Sequence, residues 1–197
     1  LSLLPIVSKI VETLVHDQTQ DYLNQNKILY DYQSGFRKNY STNYCLAYLN
    51  DKISKGFDVG IYTGMILIDL QKAFDTINHS VLLEKITFLG FSGKSINWFK
   101  SYLMDRKFIV YVNDATSDPG PLSCGVPQGS ILGPLLFLLY VNDMPQATKS
   151  ELLLYADDSC VLFQHKNVED IETQLNEDLF GYNKLSIHFG DDKTKCK

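Results

Sequence analysis

Acidic residues set in apolar surroundings are the first chemistry this sequence offers. In ELLLYADDSCVLF, Glu151 to Phe163, Asp157 and Asp158 interrupt a run otherwise suited to burial, and in GMILIDL, Gly64 to Leu70, Asp69 is the single charge. One Asp between two strand-like runs is ordinary turn chemistry. Two in succession repel each other, and burying them is costly unless a cation or hydrogen bonds compensate. A divalent metal is one efficient compensator. If the segment carrying Asp69 lies beside the pair, three carboxylates converge in an oxygen-only cluster of the kind that suits Mg²⁺. Two such ions about 4 Å apart would clamp the attacking and leaving oxygens of a phosphoryl transfer. Asp69 and Asp157 are far apart in the chain, so only the fold can bring them together.

The elements that must do this are partly readable. GMILIDL fits a strand buried on both faces, and ELLLYA and SCVLF fit two strands of a β-hairpin joined at Asp157 and Asp158. After Pro5, the spacing of Ile6, Val7, Ile10, Val11, Leu14 and Val15 predicts an amphipathic helix. Cys45, Leu49, Ile53 and Phe57 predict a second helix, capped by Ser41 or Thr42. Two more are expected over Ser80 to Leu89 and Ser92 to Met104. KFIVYVND then alternates as a strand into the turn DPGP. The apolar run ILGPLLFLLYV, Ile131 to Val141, reads as a buried helix capped by Ser130 and stopped by Pro145. Strands interleaved with helices in irregular order give an α+β domain.

Composition narrows the options. A chain of 197 residues that is 45% hydrophobic and 21% charged has the material for one globular domain with a real core. Its net charge of −5 gives no general signature of nucleic-acid binding, so such a role must come from local motifs. Cys45, Cys124, Cys160 and Cys196 are scattered without metal-ligand spacing and read as free thiols in a reducing compartment. The longest apolar run is too short to span a membrane. The start lacks a basic leader, a cleavage site and an initiator Met, so the sequence reads as intracellular, in cytoplasm or nucleus, and as a piece of something longer. No DTG or DSG pair supports aspartic protease chemistry, and no Ser/His/Asp or Cys/His motif appears in a recognisable context.

Six stretches, in order, carry a resemblance. LSLLPIVSKI, SGFRKNYST, LIDLQKAFDTINH, GVPQGSILGPLLFLLYVNDM, YADD and NKLSIHFGDDKTK resemble the ordered motifs of reverse transcriptases from retrotransposons lacking long terminal repeats. They span nearly the whole chain. The resemblance implies a right-hand polymerase fold with an antiparallel palm sheet packed on helices. Fingers would lie mainly in 1–62 and the palm and catalytic core mainly in 63–197 of a single domain. The sequence would stop before the primer grip and thumb, and NEDLFGYNKLS looks shortened near Phe180 to Asn183.

The same resemblance implies roles for particular residues. Asp69 and Asp157 would be the principal Mg²⁺-binding aspartates, assisted by Asp158 and by the backbone carbonyl of Leu70, with Mn²⁺ a substitute ion. Phe74 would stand against the sugar of an incoming dNTP, where a ring collides with a ribose 2′-hydroxyl. Gln128 and Gly129 would contact the nascent base pair and template. Arg37, and more weakly Lys38, would reach the triphosphate, to which the rigid guanidinium fork is suited. Lys193 is the candidate general acid for the departing pyrophosphate. Tyr155 would pack beneath the catalytic turn, while Asp75 and His79 read as local hydrogen-bonding residues. The implied activity is RNA-directed DNA polymerase, with an RNA or DNA template, a primer and dNTPs as partners. A catalytically inactive remnant that retains the fold is the alternative, and a metal-dependent nuclease would leave GVPQGS and Phe74 without a role.

Overall fold

The computed structural model describes residues 4–70 and 72–190, with side chains as far as Tyr182. The elements run α1 (Ile6–Gln25), α2 (Thr42–Asp58), β1 (Tyr62–Asp69), α3 (His79–Phe88), α4 (Gly93–Leu103), β2 (Lys107–Phe108), β3 (Tyr111–Val112), β4 (Ala115–Thr116), β5 (Gly120–Pro121) and α5 (Leu132–Val141). A 3₁₀ turn (Met144–Ala147), β6 (Glu151–Tyr155), β7 (Asp158–His165) and α6 (Val168–Gly190) follow. Contacts divide the chain into two compact units. One holds Phe74–Tyr140 with α1 as far as Thr19; the other holds Gln20–Ala73 and Val141–Ile187.

The second unit is built on an antiparallel sheet in the order β1-β7-β6. Side chains alternate between its faces, so Thr63, Met65, Leu67 and Asp69 share one face of β1 while Gly64, Ile66 and Ile68 share the other. Helix α6 covers the Gly64 face. A Cβ on Gly64 would lie 2.2 Å from Ile171 Cγ2 and 2.8 Å from Leu175 Cδ1, so the missing side chain is what admits the helix. Helix α2 meets the opposite face at its far end. There the Gln164 amide donates to Thr63 Oγ1 (2.8 Å) and to the Lys52 carbonyl (3.0 Å), and Lys52 bonds Glu151 at 2.8 Å. Leu152, Leu153, Leu154, Cys160, Val161 and Leu162 form the buried centre of the sheet.

The composition of β1 predicts a strand buried on both faces, and the structure contradicts this. Among the described residues β1 is an edge strand paired with β7 alone, and Leu67 is 75% exposed. A near-continuous apolar run does not distinguish a central strand from an edge strand.

In the first unit, α5 is apolar all round and almost wholly buried, with Ile77, Leu82, Ile86, Phe99 and Leu103 in the same core. Asn78 caps α3 by accepting from the Ser80 and Val81 amides, and Ser92 caps α4. The amide of Gly133 donates to Ser130 Oγ at 2.9 Å, the cap expected for α5. A second acceptor was not foreseen. The Glu12 carboxylate on α1, only 3% exposed, accepts from the Ile131 amide (2.7 Å), the Leu132 amide (3.4 Å) and the Tyr102 hydroxyl (3.2 Å). A carboxylate at the positive end of a helix meets both its orphan N–H groups and its dipole.

Two expectations are corrected here. The helix over α1 forms, yet Ile6, Val7, Ile10, Val11 and Leu14 are 43–78% exposed. KFIVYVND is not one strand running to DPGP. It breaks into β2 and β3, and the chain reverses at Asn113 and Asp114, both with positive φ (48° and 61°). Those two residue types tolerate the left-handed conformation that a two-residue type I′ turn demands. Cys45 and Cys160 are free thiols, and among the described residues no helix is long and apolar enough to cross a membrane.

Replacing Glu12 with Ala strands two amide donors and a hydroxyl. Thermal or denaturant unfolding should show a loss of about 1–3 kcal/mol, with a smaller loss for Glu12→Gln, which keeps an acceptor. An Ala variant as stable as the parent contradicts the capping role.

Candidate active site

The β6–β7 hairpin closes on the pair Tyr155↔Asp158, leaving Ala156 and Asp157 as a two-residue loop. The expected hairpin is there, with its loop one residue earlier than expected. Asp158 is the first residue of β7 rather than a turn residue. Ala156 has φ +55°, at the first central position of the turn. Glycine is the residue that takes such a conformation without strain.

The register of β1 on β7 then sets Asp69 directly opposite Asp158. Tyr155, Asp158 and Asp69 form one row across three strands on a single face. The ladder continues one step further, where the Leu70 amide donates to the Asp157 carbonyl at 3.4 Å. The two carboxyl-bearing segments are therefore joined backbone to backbone. Asp69 and Asp158 are exposed and Asp157 is half-buried, so the expected burial of all three carboxylates is not seen. What disfavours this arrangement is juxtaposition, because like charges directly opposite on neighbouring strands repel. Among the described residues no three His, Cys, Asp or Glu side chains are gathered closely enough to hold an ion by themselves.

A loop from the other side of the sequence braces this hairpin. The amide of Ser34 donates to the Leu154 carbonyl (2.8 Å), and the Leu154 amide donates to the Tyr32 carbonyl (3.0 Å), a parallel bridge between Gln33 and β6. Arg37, half-buried, spends Nη1 on the carbonyls of Tyr30 (2.8 Å) and Gln33 (3.1 Å), and its guanidinium lies 4.4 Å from the ring centre of Tyr40. Lys38 is exposed. Gln33 carried no functional expectation, since a glutamine in a polar segment has no motif of its own. The readable signal was its neighbour Gly35: a Cβ there would fall 2.0 Å from the Ala156 nitrogen.

In the first unit, GVPQGS is held against the segment after Phe74. Gly125, with φ +80°, donates to the Ile77 carbonyl (2.8 Å), and its own carbonyl accepts from His79 Nε2 (2.7 Å). A Cβ on Gly125 would lie 2.9 Å from the Asp75 Cα. The Val126 amide donates to the Phe74 carbonyl (2.8 Å), and Gln128 Nε2 donates to Asp75 Oδ1 (3.0 Å). Asp75 and His79 thus do the local bonding expected of them. Gln128 and Gly129 are exposed, and Phe74 is half-buried with its ring 4.9 Å from that of Phe137. Lys193 lies outside the described residues.

The family model for reverse transcriptase (RNA-dependent DNA polymerase) matches residues 1–196. Among curated proteins, the chain is 36% identical over 185 residues to a probable RNA-directed DNA polymerase from transposon BS of Drosophila melanogaster. That match covers 90% of this chain and 20% of the relative. It is 35% identical to the corresponding protein from transposon X-element and 33% identical to the RNA-directed DNA polymerase from mobile element jockey, both of the same species. These alignments cover 86% and 89% of this chain and 19% and 20% of those proteins. The chain therefore spans about a fifth of the length of these relatives. Among solved structures, apo telomerase from Candida tropicalis superposes with a TM-score of 0.63 at 19% identity, covering 90% of this chain and 35% of that one. A form truncated from its C-terminal domain gives 0.61, covering 90% and 38%. At that identity the likeness concerns the fold, which is the fingers and palm of a polymerase. The chain belongs to the reverse transcriptase family, and the relatives it matches come from retrotransposons without long terminal repeats.

Proposed function

We propose that the chain is the polymerase core of an RNA-directed DNA polymerase that adds dNTPs to a primer 3′-hydroxyl on an RNA or DNA template. The observation carrying this reading is the register that sets Asp69 opposite Asp158 with the Asp157 carbonyl bonded to Leu70, in a chain of this family.

Reverse transcriptases use divalent metal ions, and the donors at this end of the sheet suit a hard cation. All are oxygens, and two carboxylates stand opposite each other across a strand pair. Mg²⁺ is commonly held by one or two carboxylates together with substrate phosphates and water, so a preformed cage of three protein ligands is not required. Asp69 and Asp157 would hold the ion, with Asp158 assisting and the Leu70 carbonyl as a further ligand. When bound, Mg²⁺, or Mn²⁺ in its place, supplies the positive charge that lowers the pKa of the 3′-hydroxyl and stabilises charge on the transferring phosphoryl group.

The other residues would position substrate. With Nη1 engaged by two carbonyls, Arg37 keeps the donors of Nη2 and Nε for the triphosphate. Its loop contacts hold the guanidinium in place before the ligand arrives, which lowers the ordering cost of binding. Phe74 would bar a ribose 2′-hydroxyl, its ring fixed from behind by Phe137. Gln128 and Gly129 would face the nascent base pair and template, and Lys193 would protonate the leaving pyrophosphate.

Two outcomes test this. Asp157→Asn should lower Mg²⁺-dependent primer extension by at least about a hundredfold, a loss near 3 kcal/mol of transition-state stabilisation, with the melting temperature little changed. Substantial residual extension would contradict the assignment. Phe74→Val should shift the ratio of kcat/KM for dNTP over rNTP toward the ribonucleotide by roughly tenfold or more. An unaltered ratio in single-nucleotide incorporation would remove Phe74 from sugar selection.

A further inference from the structure

The hairpin that carries Asp157 contains a strained residue, Ala156, at φ +55°. Such a conformation in a non-glycine residue persists where surrounding structure over-determines it. The bonds that do so here converge on one side chain. Gln33 is 2% exposed, and its Oε1 accepts from the Ala156 amide at 3.2 Å and from the Gly35 amide at 2.8 Å. Both partners are N–H donors, so the carboxamide atom facing them must be the oxygen. We infer that Gln33 is a positioning residue for Asp157, fixing the Ala156–Asp157 turn through that single oxygen; the inference rests on the catalytic reading of Asp157 given above.

Three further features support it. The parallel bridge of Gln33 to Leu154 fixes the loop two residues before the strained one. Gly35 stands so close to Ala156 that a Cβ would fall 2.6 Å from its Cα, which makes the contact one of backbone against backbone. Finally, Gln33 Nε2 is buried and has no hydrogen-bond partner among the described residues. A buried amide donor without an acceptor is unfavourable, and a purely space-filling role would be met better by Met or Leu. The residue earns its place by its acceptor.

The acceptor is what the experiment isolates. In the full chain, Gln33→Met keeps the length and removes the oxygen, whereas Gln33→Glu keeps an acceptor at the same reach. Gln33→Met should lower kcat for primer extension by about ten- to hundredfold, the usual effect of losing an outer partner of a metal ligand, while KM for dNTP stays within about twofold. Gln33→Glu should restore kcat to within about threefold of the parent. If the Met variant does not fold, Gln33→Asn, which withdraws the amide by one carbon, replaces it with the same expectation. Amide hydrogen exchange at Ala156 and Gly35, read by NMR, tests the clamp without turnover. Both amides should exchange faster in Gln33→Met, while those of Val161 and Leu162 in the same sheet do not. Unchanged exchange at Ala156, unchanged kcat in Gln33→Met, or an equal fall in Gln33→Glu would each overturn the proposal. A parent chain that extends no primer would instead defeat the functional reading, leaving the exchange measurement to decide the clamp.

Discussion

Eight consecutive residue pairs join β1 to β7, from Tyr62↔His165 to Asp69↔Asp158, and the candidate site is the last rung of that ladder. Slipping the register by one residue would turn Asp69 to the opposite face, toward the side covered by α6. Several contacts act against such a slip. Gly64 is the position whose missing side chain receives Ile171 and Leu175, and Gln164 ties Thr63 to α2 at the opposite end of the same ladder. Packing at one end of the strand thus fixes which residues stand opposite each other at the other. The arrangement is electrostatically unfavourable on its own, because it sets two carboxylates across from each other, and sheet packing sustains it.

The loops supply precision in the same currency, which is backbone contact admitted by glycine. Gly35 lets the Tyr32–Phe36 segment touch the backbone of Ala156, and Gly125 lets GVPQGS touch the backbone of Asp75. In each case a neighbouring side chain closes the contact with a hydrogen bond, Gln33 in one unit and His79 in the other. Side chains with free torsions would hold these segments less rigidly than main chain on main chain. Arg37 braces the first of these loops by donating to the carbonyls of Tyr30 and Gln33, which stiffens the segment under the turn.

The chain's own residues announced much of this. Helical spacing gave α2, α3, α4 and α5 within a few residues, and two apolar runs flanking an acidic pair gave the β6–β7 hairpin. Asp69 stood out as the lone charge in its strand, and the structure pairs it with Asp158 of the hairpin, while among the described residues no three acidic side chains gather into one cluster. What could not be read was environment. Apolar Met65 and Leu67 look the same whether a strand is central or at an edge, and the exposure of Ile6, Val7, Ile10, Val11 and Leu14 depends on partners that no periodicity encodes. The type I′ turn at Asn113 and Asp114 was legible in principle, but the stronger Pro and Gly signal of DPGP drew the reversal there instead. Gln33 was invisible because its role lies in a single long-range acceptor, and burial of the carboxylates was overestimated because the runs around them are buried while the end of the sheet is open.

The account reduces to a claim about oxygen atoms: Asp69 and Asp157, on segments joined through the β1–β7 ladder and the Leu70–Asp157 backbone bond, would hold one divalent cation when substrate is present. The most direct measurement is anomalous diffraction from crystals of the full chain with primer-template, a non-hydrolysable dNTP and Mn²⁺. The account predicts an anomalous peak at about 2.0–2.3 Å from carboxylate oxygens of both Asp69 and Asp157. A Mn²⁺ ion held by the nucleotide but beyond coordinating distance of either aspartate would contradict it.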